Sequence, residues 1–239
     1  MTELLYQTDS YLQTFEAEVD GLDQENWGIS LNRSAFYPGG GGQPADSGIL
    51  IVGEIHYLIK RAKKIGEQVF HYLETIEDLP SIGTRVEGQI KWERRYQLMR
   101  THTAMHILCG VIFRDYGASV TGGDMDPQQG RMDFEFETMH KDLVEEIEKA
   151  INVEVSKALP VRVDILPREE AFQIPDLMRT KINLLPEGIQ QVRIVEIVGL
   201  DLQADGGTHV RNTSEVGRIQ VVDYKSKGKI NKRIYVSLQ

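Results

Sequence analysis

The chain has 239 residues, and its 27 lysines and arginines against 36 aspartates and glutamates give a formal net charge of −9 at pH 7. This acidic balance argues against a general nucleic-acid coat protein, although it leaves room for local contacts with RNA. The single cysteine, Cys109, excludes a disulfide framework and an all-cysteine zinc site. The chain shows no basic, apolar leader and no run near ~18 apolar residues, which predicts a cytoplasmic protein that does not enter a membrane.

The first ninety residues are predicted to form a small β-barrel. Six short runs are rich in β-branched or aromatic residues and are separated by Gly, Asp, Asn and Pro. They are residues 15–19, 26–31, 48–51, 54–60, 68–72 and 85–90. Many short strands at close spacing are typical of a barrel.

The remaining residues are predicted to form an α+β domain. Residues 92–116 carry apolar side chains at helical spacing before Gly117, and residues 141–159 do the same before Pro160. Five strands are expected at residues 131–137, 161–165, 192–197, 218–224 and 233–238. The sequence therefore predicts an α+β fold, with a small N-terminal β-barrel domain over 1–90 and a C-terminal α+β domain over 91–239.

Two histidines, His102 and His106, lie four residues apart on the first predicted helix. Both imidazoles then project from one face and can share a metal ion, although two buried, hydrogen-bonded histidines would show the same spacing. A zinc-protease motif is disfavoured, because Thr103 stands where that motif needs glutamate. A third histidine, His209, follows a pair of glycines and lies four residues after Asp205. Three histidines with one carboxylate or one water form a plausible Zn²⁺ set.

Four successive glycines at 39–42 interrupt the predicted barrel, within the segment SAFYPGGGGQPADSG. Glycine allows backbone conformations closed to other residues, and it lets a substrate or another backbone approach closely. A phosphate-binding loop is disfavoured, because no Lys-Ser/Thr pair follows the glycines. A tight corner of the barrel and a substrate-binding loop are the interpretations that remain.

Taken in order, three motifs resemble the AlaX proteins, which are free-standing relatives of the editing domain of alanyl-tRNA synthetase. The motifs are SAFYP leading into the glycine run at 34–48, MRTHTAMH at 99–106, and GGTHV at 206–210 followed by Thr213 and Gly217. The resemblance covers essentially the whole chain and is to the medium-length class. It implies an aminoacyl-tRNA deacylase that binds the acceptor end of tRNA(Ala) mischarged with serine, with glycine as a second candidate, and that uses one Zn²⁺ per chain.

The resemblance also implies roles for individual residues. The metal ligands would be His102, His106 and His209, the substrate-binding residues Ser34, Gly40, Gly41 and Gly42, and the catalytic residues Gln43 and Thr103. Most relatives have Cys where this chain has Asp205. That carboxylate could therefore coordinate the metal, hydrogen-bond a ligand histidine, or cap the turn at the following glycines.

Other interpretations stay open at this point. The chain could be a tRNA- or synthetase-binding module without activity, or a zinc hydrolase of another aminoacyl-tRNA ester. Contact with tRNA requires a local basic surface, and the sequence offers three clusters for it, within 60–64, 94–100 and 225–233.

Overall fold

The computed structural model describes residues 1–74, 78–177, 179 and 188–239. The chain divides into two compact units, Met1–Tyr96 and Gln97–Gln239. The division falls inside the helix that begins at Trp92, six residues after the boundary expected from the sequence. The assignment of separate roles to residues 1–90 and 91–239 stays a prediction.

The first unit is built around a closed, antiparallel six-stranded barrel in the order β2-β3-β7-β6-β5-β8, and β1 pairs with β4 beside it. The strands are β1 (Glu3–Leu4), β2 (Thr14–Asp23), β3 (Gly28–Leu31), β4 (Arg33–Ser34), β5 (Gly48–Val52), β6 (Ile55–Ile65), β7 (Gln68–Leu73) and β8 (Arg85–Ile90). Alternate residues of β2, namely Phe15, Ala17 and Val19, are buried in the core. The predicted fold class is confirmed.

Strand β6 is longer than its sequence predicts. Four of its last six residues are basic, and the expected strand ends at residue 60, but pairing with β7 continues to Ile65 opposite Gln68. The register with β7 shifts between Ile59 and Arg61. The cross-strand hydrogen bonds of the closed barrel thus override the weak strand preference of lysine and arginine.

The glycine run forms a tight turn. Gly40 and Gln43 exchange backbone hydrogen bonds of 3.1 and 2.9 Å, which leaves Gly41 and Gly42 at the tip. These two residues have φ angles of 57° and 87°, in the left-handed region that favours glycine. The corner that the sequence allowed is therefore present, with its backbone at the protein surface.

A buried ion pair fixes the chain on the far side of this turn. The Asp46 carboxylate accepts hydrogen bonds from the Arg95 guanidinium and from the Tyr37 amide, the latter at 2.6 Å. Arg95 also donates to the carbonyls of Ser10 at 3.0 Å and Ala35 at 2.6 Å. Because a buried charge is tolerated only when it is paired and hydrogen-bonded, this network holds both ends of the glycine segment in place.

The second unit contains a four-stranded sheet in the order β14-β15-β10-β9 and a three-stranded sheet in the order β11-β12-β13. Its elements, with the helix that begins in the first unit, are α1 (Trp92–Tyr116), β9 (Val120–Asp126), β10 (Gln129–Glu135), α2 (Lys141–Ser156), β11 (Val161–Pro167), α3 (Arg168–Ala171), β12 (Gln191–Ile197), β13 (Asp201–Ala204), β14 (Ile219–Ser226) and β15 (Asn231–Leu238). Helix α1 has its predicted bounds, whereas α2 ends three residues early, before Ala158 with its φ of 51°.

Helix α1 is buried on every side between residues 101 and 112. Such a helix lies inside a core rather than on its surface, so its polar side chains must find partners within the protein. Thr101 donates to the carbonyl of Gln97 at 2.9 Å and accepts from the amide of Gln128 at 2.9 Å. The partners of the other polar residues of this segment form the candidate site.

Besides the two-residue strands β1 and β4 of the first unit, the sequence did not predict two of the strands described in the second unit, β9 and β13. Strand β9 contains two consecutive glycines and two aspartates, and β13 has only four residues, so neither shows the β-branched pattern of a strand. Both are held by pairing with a longer neighbour, β10 and β12 respectively. In the described residues, no helix is both long and apolar enough to cross a membrane.

The barrel core contains one histidine, His71, whose titration should weaken the fold in mild acid. His71 is fully buried, its Nδ1 donates to the Ile29 carbonyl at 2.9 Å, and its Nε2 accepts from the Ser34 hydroxyl at 2.7 Å. Burial lowers its pKa to about 4.

His71 is therefore protonated below about pH 6.5 in the unfolded chain but only below about pH 4 in the folded chain. Because the unfolded chain binds more protons between these values, the free energy of unfolding falls as the pH drops from 6.5 to 4. We expect the stability difference between wild type and His71→Gln, measured by urea unfolding of the full chain, to shrink by up to about 3 kcal/mol between pH 7 and pH 4. A difference that stays constant over this range would contradict the assignment of a neutral, buried imidazole.

Candidate metal centre

Four potential metal ligands meet in the second unit. Helix α1 supplies His102 and His106, one turn apart, and the segment that follows β13 supplies Asp205 and His209. One nitrogen or oxygen atom of each side chain lies within 4.8 Å of those of the other three. The structure therefore brings together three histidines and one carboxylate that lie about a hundred residues apart in sequence.

The rings are close enough to share one ion. The ring centroids of His102 and His209 are 4.2 Å apart, and those of His106 and His209 are 4.7 Å apart. The Asp205 Oδ2 atom lies 3.0 Å from His209 Nε2, and Oδ1 lies 3.5 Å from His102 Nε2. All three histidines are buried.

Asp205 is also held by the backbone of its own turn. The amide of Gly207 donates to Oδ2 at 2.7 Å, and the Arg193 guanidinium donates to the Asp205 carbonyl at 2.9 Å. Of the three roles considered for this carboxylate, the turn cap is thus present in the structure. The same carboxylate lies inside the ligand cluster, so capping and metal binding are compatible here.

The protonation states suit a metal ion. Burial lowers the pKa of His102 well below its usual range and that of His209 to about 4. Burial alone would raise the pKa of Asp205, but the surrounding imidazoles hold it well below its usual range. Near neutral pH these groups are therefore two neutral imidazoles and one carboxylate, which are the forms that bind metals.

The other ring nitrogens of two histidines have hydrogen-bond partners that fix their orientation. His106 Nδ1 lies 3.0 Å from Asp201 Oδ2, and His209 Nδ1 lies 3.1 Å from Thr103 Oγ1. Burial would lower the pKa of His106, but the hydrogen bond and charge of Asp201 raise it. With Nδ1 donating, each Nε2 lone pair is left for the metal, which is the arrangement seen around metal-bound histidines.

Asp201 is the functional residue that the sequence analysis missed. Its Oδ2 atom also accepts from Gln203 Nε2 at 2.7 Å, and its Oδ1 lies 3.5 Å from the Arg179 guanidinium. A Cβ on Gly110 would lie 3.0 Å from that of Asp201, so glycine in α1 permits this close approach. The sequence does contain one sign of this role: Asp201, Gln203 and Asp205 are spaced two residues apart, which would place their side chains on one face of a strand.

The remaining candidate residues belong to the first unit. Ser34 is fully buried, and its hydroxyl accepts from the Phe36 amide at 3.1 Å and donates to His71. Gln43 is buried at the base of the turn formed by Gly40, Gly41 and Gly42. None of these five residues is part of the four-residue cluster, and their roles, like the catalytic role of Thr103, stay predictions.

Comparison with known proteins identifies the family. Residues 192–235 match the model described as the threonyl and alanyl tRNA synthetase second additional domain, and residues 7–94 match class II (A) tRNA synthetases. The chain is 39% identical to the alanyl-tRNA editing protein AlaX-M of Saccharolobus solfataricus, over 100% of both proteins. This chain belongs to the AlaX-M family. The family predicted from the three motifs is therefore confirmed.

Two further relatives place the family match in context. Methanosarcina barkeri AlaX-M is 36% identical over 100% of this chain and 99% of that protein. The alanine–tRNA ligase of Ignicoccus hospitalis is 36% identical over 92% of this chain, and the match spans 24% of that enzyme. A sequence of the AlaX-M kind therefore also occurs as a segment of a longer synthetase.

Asp201 is expected to strengthen metal binding through His106. Asp201→Asn keeps the size of the side chain but removes the charge that holds the ring, so affinity for a divalent metal should fall by roughly 10- to 100-fold. Competition with a chromophoric chelator measures this affinity directly. The control is Asp164→Asn, on the exposed side of β11. Wild-type metal affinity in a correctly folded Asp201→Asn protein would show that His106 needs no such partner.

Proposed function

We propose that this chain hydrolyses the ester of tRNA(Ala) that carries serine, acting on free mischarged tRNA with the help of one Zn²⁺. The observation that carries the proposal is the buried set of three imidazoles and one carboxylate. Glycine is the second candidate amino acid. The partner is the acceptor end of the tRNA.

The general activity follows from the family. As a member of the alanyl-tRNA editing proteins, the chain is an enzyme, a hydrolase that removes the amino acid from tRNA. Such an activity is needed because a pocket that fits alanine discriminates weakly against a substrate that merely adds a hydroxyl. Hydrolysis at a second site removes the products of that error.

The donor set fits zinc. Three imidazole nitrogens and one carboxylate oxygen are ligands that Zn²⁺ accepts, and zinc can take a fifth ligand such as a water or a substrate carbonyl. His102, His106, His209 and Asp205 would hold the ion, which when bound would polarise the ester carbonyl or lower the pKa of a bound water. A carboxylate is a harder ligand than the cysteine of most relatives, which makes the site less selective for soft metals.

The side chains around the cluster define what the protein itself contributes. Asp201 and Thr103 orient His106 and His209 through their Nδ1 atoms. Because the Thr103 hydroxyl also accepts from the Val210 amide at 3.3 Å, we assign it to positioning His209 rather than to contact with the substrate. This refines the catalytic role expected from the sequence.

A covalent route through Cys109 finds no support. Burial raises the pKa of its thiol, so the thiolate that would attack an ester is scarce. The Sγ atom instead lies 3.4 Å from the Gln203 side chain, which supports Asp201. Metal-assisted attack by water remains the simplest chemistry for this site.

Recognition of serine is assigned to Ser34. A hydroxyl can donate one hydrogen bond and accept two. The Ser34 hydroxyl donates to His71 Nε2 and accepts one hydrogen bond, from the Phe36 amide. One acceptor position on Ser34 Oγ remains for a substrate hydroxyl. The glycine turn would let a substrate approach the backbone closely, because residues 40–42 carry no side chains. Gln43, at the base of the turn, is assigned to positioning the substrate or a water.

We expect substitutions in the four-residue cluster to reduce metal content and deacylation in parallel. We expect the purified chain to release serine from Ser-tRNA(Ala), to lose this activity with a chelator, and to regain it with Zn²⁺. His106→Ala and Asp205→Ala should both reduce bound metal and the rate, whereas His56→Ala, an exposed histidine, should change neither.

The outcomes separate the competing functions. A protein that binds tRNA(Ala) but contains no zinc and releases no amino acid would be a binding module. Faster release of other amino acids across a panel of mischarged tRNAs would indicate another aminoacyl-tRNA ester as the substrate. Full metal content and full activity in His106→Ala would show that the cluster is not the active site.

Ser34→Ala tests how serine is recognised. Loss of the hydroxyl should slow hydrolysis of Ser-tRNA(Ala) by roughly tenfold more than that of Gly-tRNA(Ala), since glycine has no hydroxyl to pair. Single-turnover rates on both substrates measure this ratio, and Ser34→Thr, which keeps a hydroxyl, should restore it. Equal losses on both substrates would assign Ser34 to holding the Phe36 backbone instead.

A further inference from the structure

A groove on the first unit combines the glycine turn with a group of cations. Its volume is about 440 Å³. The residues of its lining that matter here are Gly39, Gly40, Lys60, Arg61, Lys63 and Arg94. We call this the basic groove.

The irregular register of β6 creates the basic groove. Because the pairing with β7 shifts between Ile59 and Arg61, both Lys60 and Arg61 are exposed instead of alternating between the two faces. The amide of Ala62 donates to the Asp46 carbonyl at 3.3 Å, which ties this part of β6 to the end of the glycine segment.

Arg94 joins the groove from the start of α1. Its Nη1 atom donates to the Ala45 carbonyl at 2.8 Å. A backbone carbonyl leaves the charge of the guanidinium uncompensated. In the described part of the chain, no ion pair connects Arg94, or the groove residues Lys60, Arg61 and Lys63, to a carboxylate. In a protein with a net charge of −9, the basic groove is therefore a local site of positive potential.

Aromatic side chains continue the surface next to these cations. Arg61 and Lys63 are the cross-strand partners of Tyr72 and Phe70 on β7. The two aromatic rings are stacked with centroids 6.4 Å apart, and the Arg61 guanidinium lies 5.6 Å from the Tyr72 ring centre. Both aromatic residues are half-buried, so part of each ring stays accessible. Basic side chains beside accessible aromatic rings are typical of surfaces that bind single-stranded nucleic acid.

We propose that the basic groove binds the sugar-phosphate backbone of the single-stranded acceptor end of tRNA, with Phe70 and Tyr72 offering their rings to the bases. The proposal rests on the proposed function, which requires that the strand carrying the ester be held. Beyond that function, the proposal names the basic groove, and not the hairpin cluster, as the surface that contacts the tRNA.

The basic hairpin of β14 and β15 is the competing surface, and two of the five basic side chains within 225–233 are already paired with carboxylates. Lys225 lies 2.9 Å from Asp223, and Arg233 lies 2.6 Å from Asp133. A phosphate would have to displace these carboxylates. The basic groove requires no such exchange, which favours it over the hairpin.

The test removes three charges from each surface in the full-length chain. The groove variant combines Lys60→Gln, Arg61→Gln and Lys63→Gln, and the matched control combines Lys225→Gln, Lys227→Gln and Lys229→Gln. Binding of uncharged tRNA(Ala) is measured at several salt concentrations. We expect the groove variant to bind about tenfold more weakly or worse, with the slope of log affinity against log salt reduced by about 2, and the control to stay within about twofold of wild type.

Wild-type affinity in the groove variant, or an equal loss in the hairpin variant, would overturn the proposal. Melting temperature and metal content check the fold, and the double variant Lys60→Gln, Lys63→Gln repeats the test with a smaller change. Competition with a short RNA ending in unpaired CCA, against a blunt RNA duplex, tests whether the single strand is recognised. Because uncharged tRNA is used, a protein that binds through the groove but releases no serine would refute the proposed function alone.

Discussion

The burial of three imidazoles and one carboxylate in a single small volume is the constraint around which the second unit is organised. Burial there favours the neutral forms of His102 and His209, whereas Asp201 raises the pKa of His106. The neighbouring imidazoles hold the pKa of Asp205 well below its usual range. A polar atom buried in such a place costs free energy when it has no hydrogen-bond partner. The neighbouring polar residues supply hydrogen-bond partners to the histidines. A bound metal ion would supply positive charge beside the Asp205 carboxylate.

The partners are drawn from distant parts of the chain, which explains the course of the backbone around the site. Thr103 reaches His209 from the buried helix, and Asp201 reaches His106 from the short strand β13. The close approach of that strand to the helix depends on Gly110, where a side chain would collide with Leu200 and Asp201. The site is therefore specified by the backbone geometry of α1 and β13 as much as by the ligands themselves.

The sequence predicted the parts of the fold that have strong local signals. The bounds of α1 and of β8 agree with the structure, because Gly117 ends the helix and regular alternation marks the strand. The pair His102 and His106 was visible for the same reason, since helical spacing alone places both rings on one face.

What the sequence did not predict depends on pairing between distant segments. Strand β13 exists through its partner β12, and the role of Asp201 follows from its approach to a helix residue 95 positions earlier. Likewise, the contact between Ser34 and His71 joins strands 37 residues apart, and nothing near either residue indicates it. His71 appears in sequence as an isolated histidine, although it is fully buried in the barrel core.

The surroundings of Asp201 show that this site is built at some expense of stability. Asp201 and Arg179 approach only to 3.5 Å, and Asp201 Oδ1 and two Arg179 nitrogens find no hydrogen-bond partner among the described residues. Stacking of the guanidinium on Phe113, 3.7 Å from the ring centre, compensates only in part. In protein cores generally, well-packed hydrophobic residues of similar volume are often at least as stabilising as a buried ion pair. The charged pair makes physical sense only through what Asp201 does with its other oxygen, which is to hold His106 in the orientation that a metal requires.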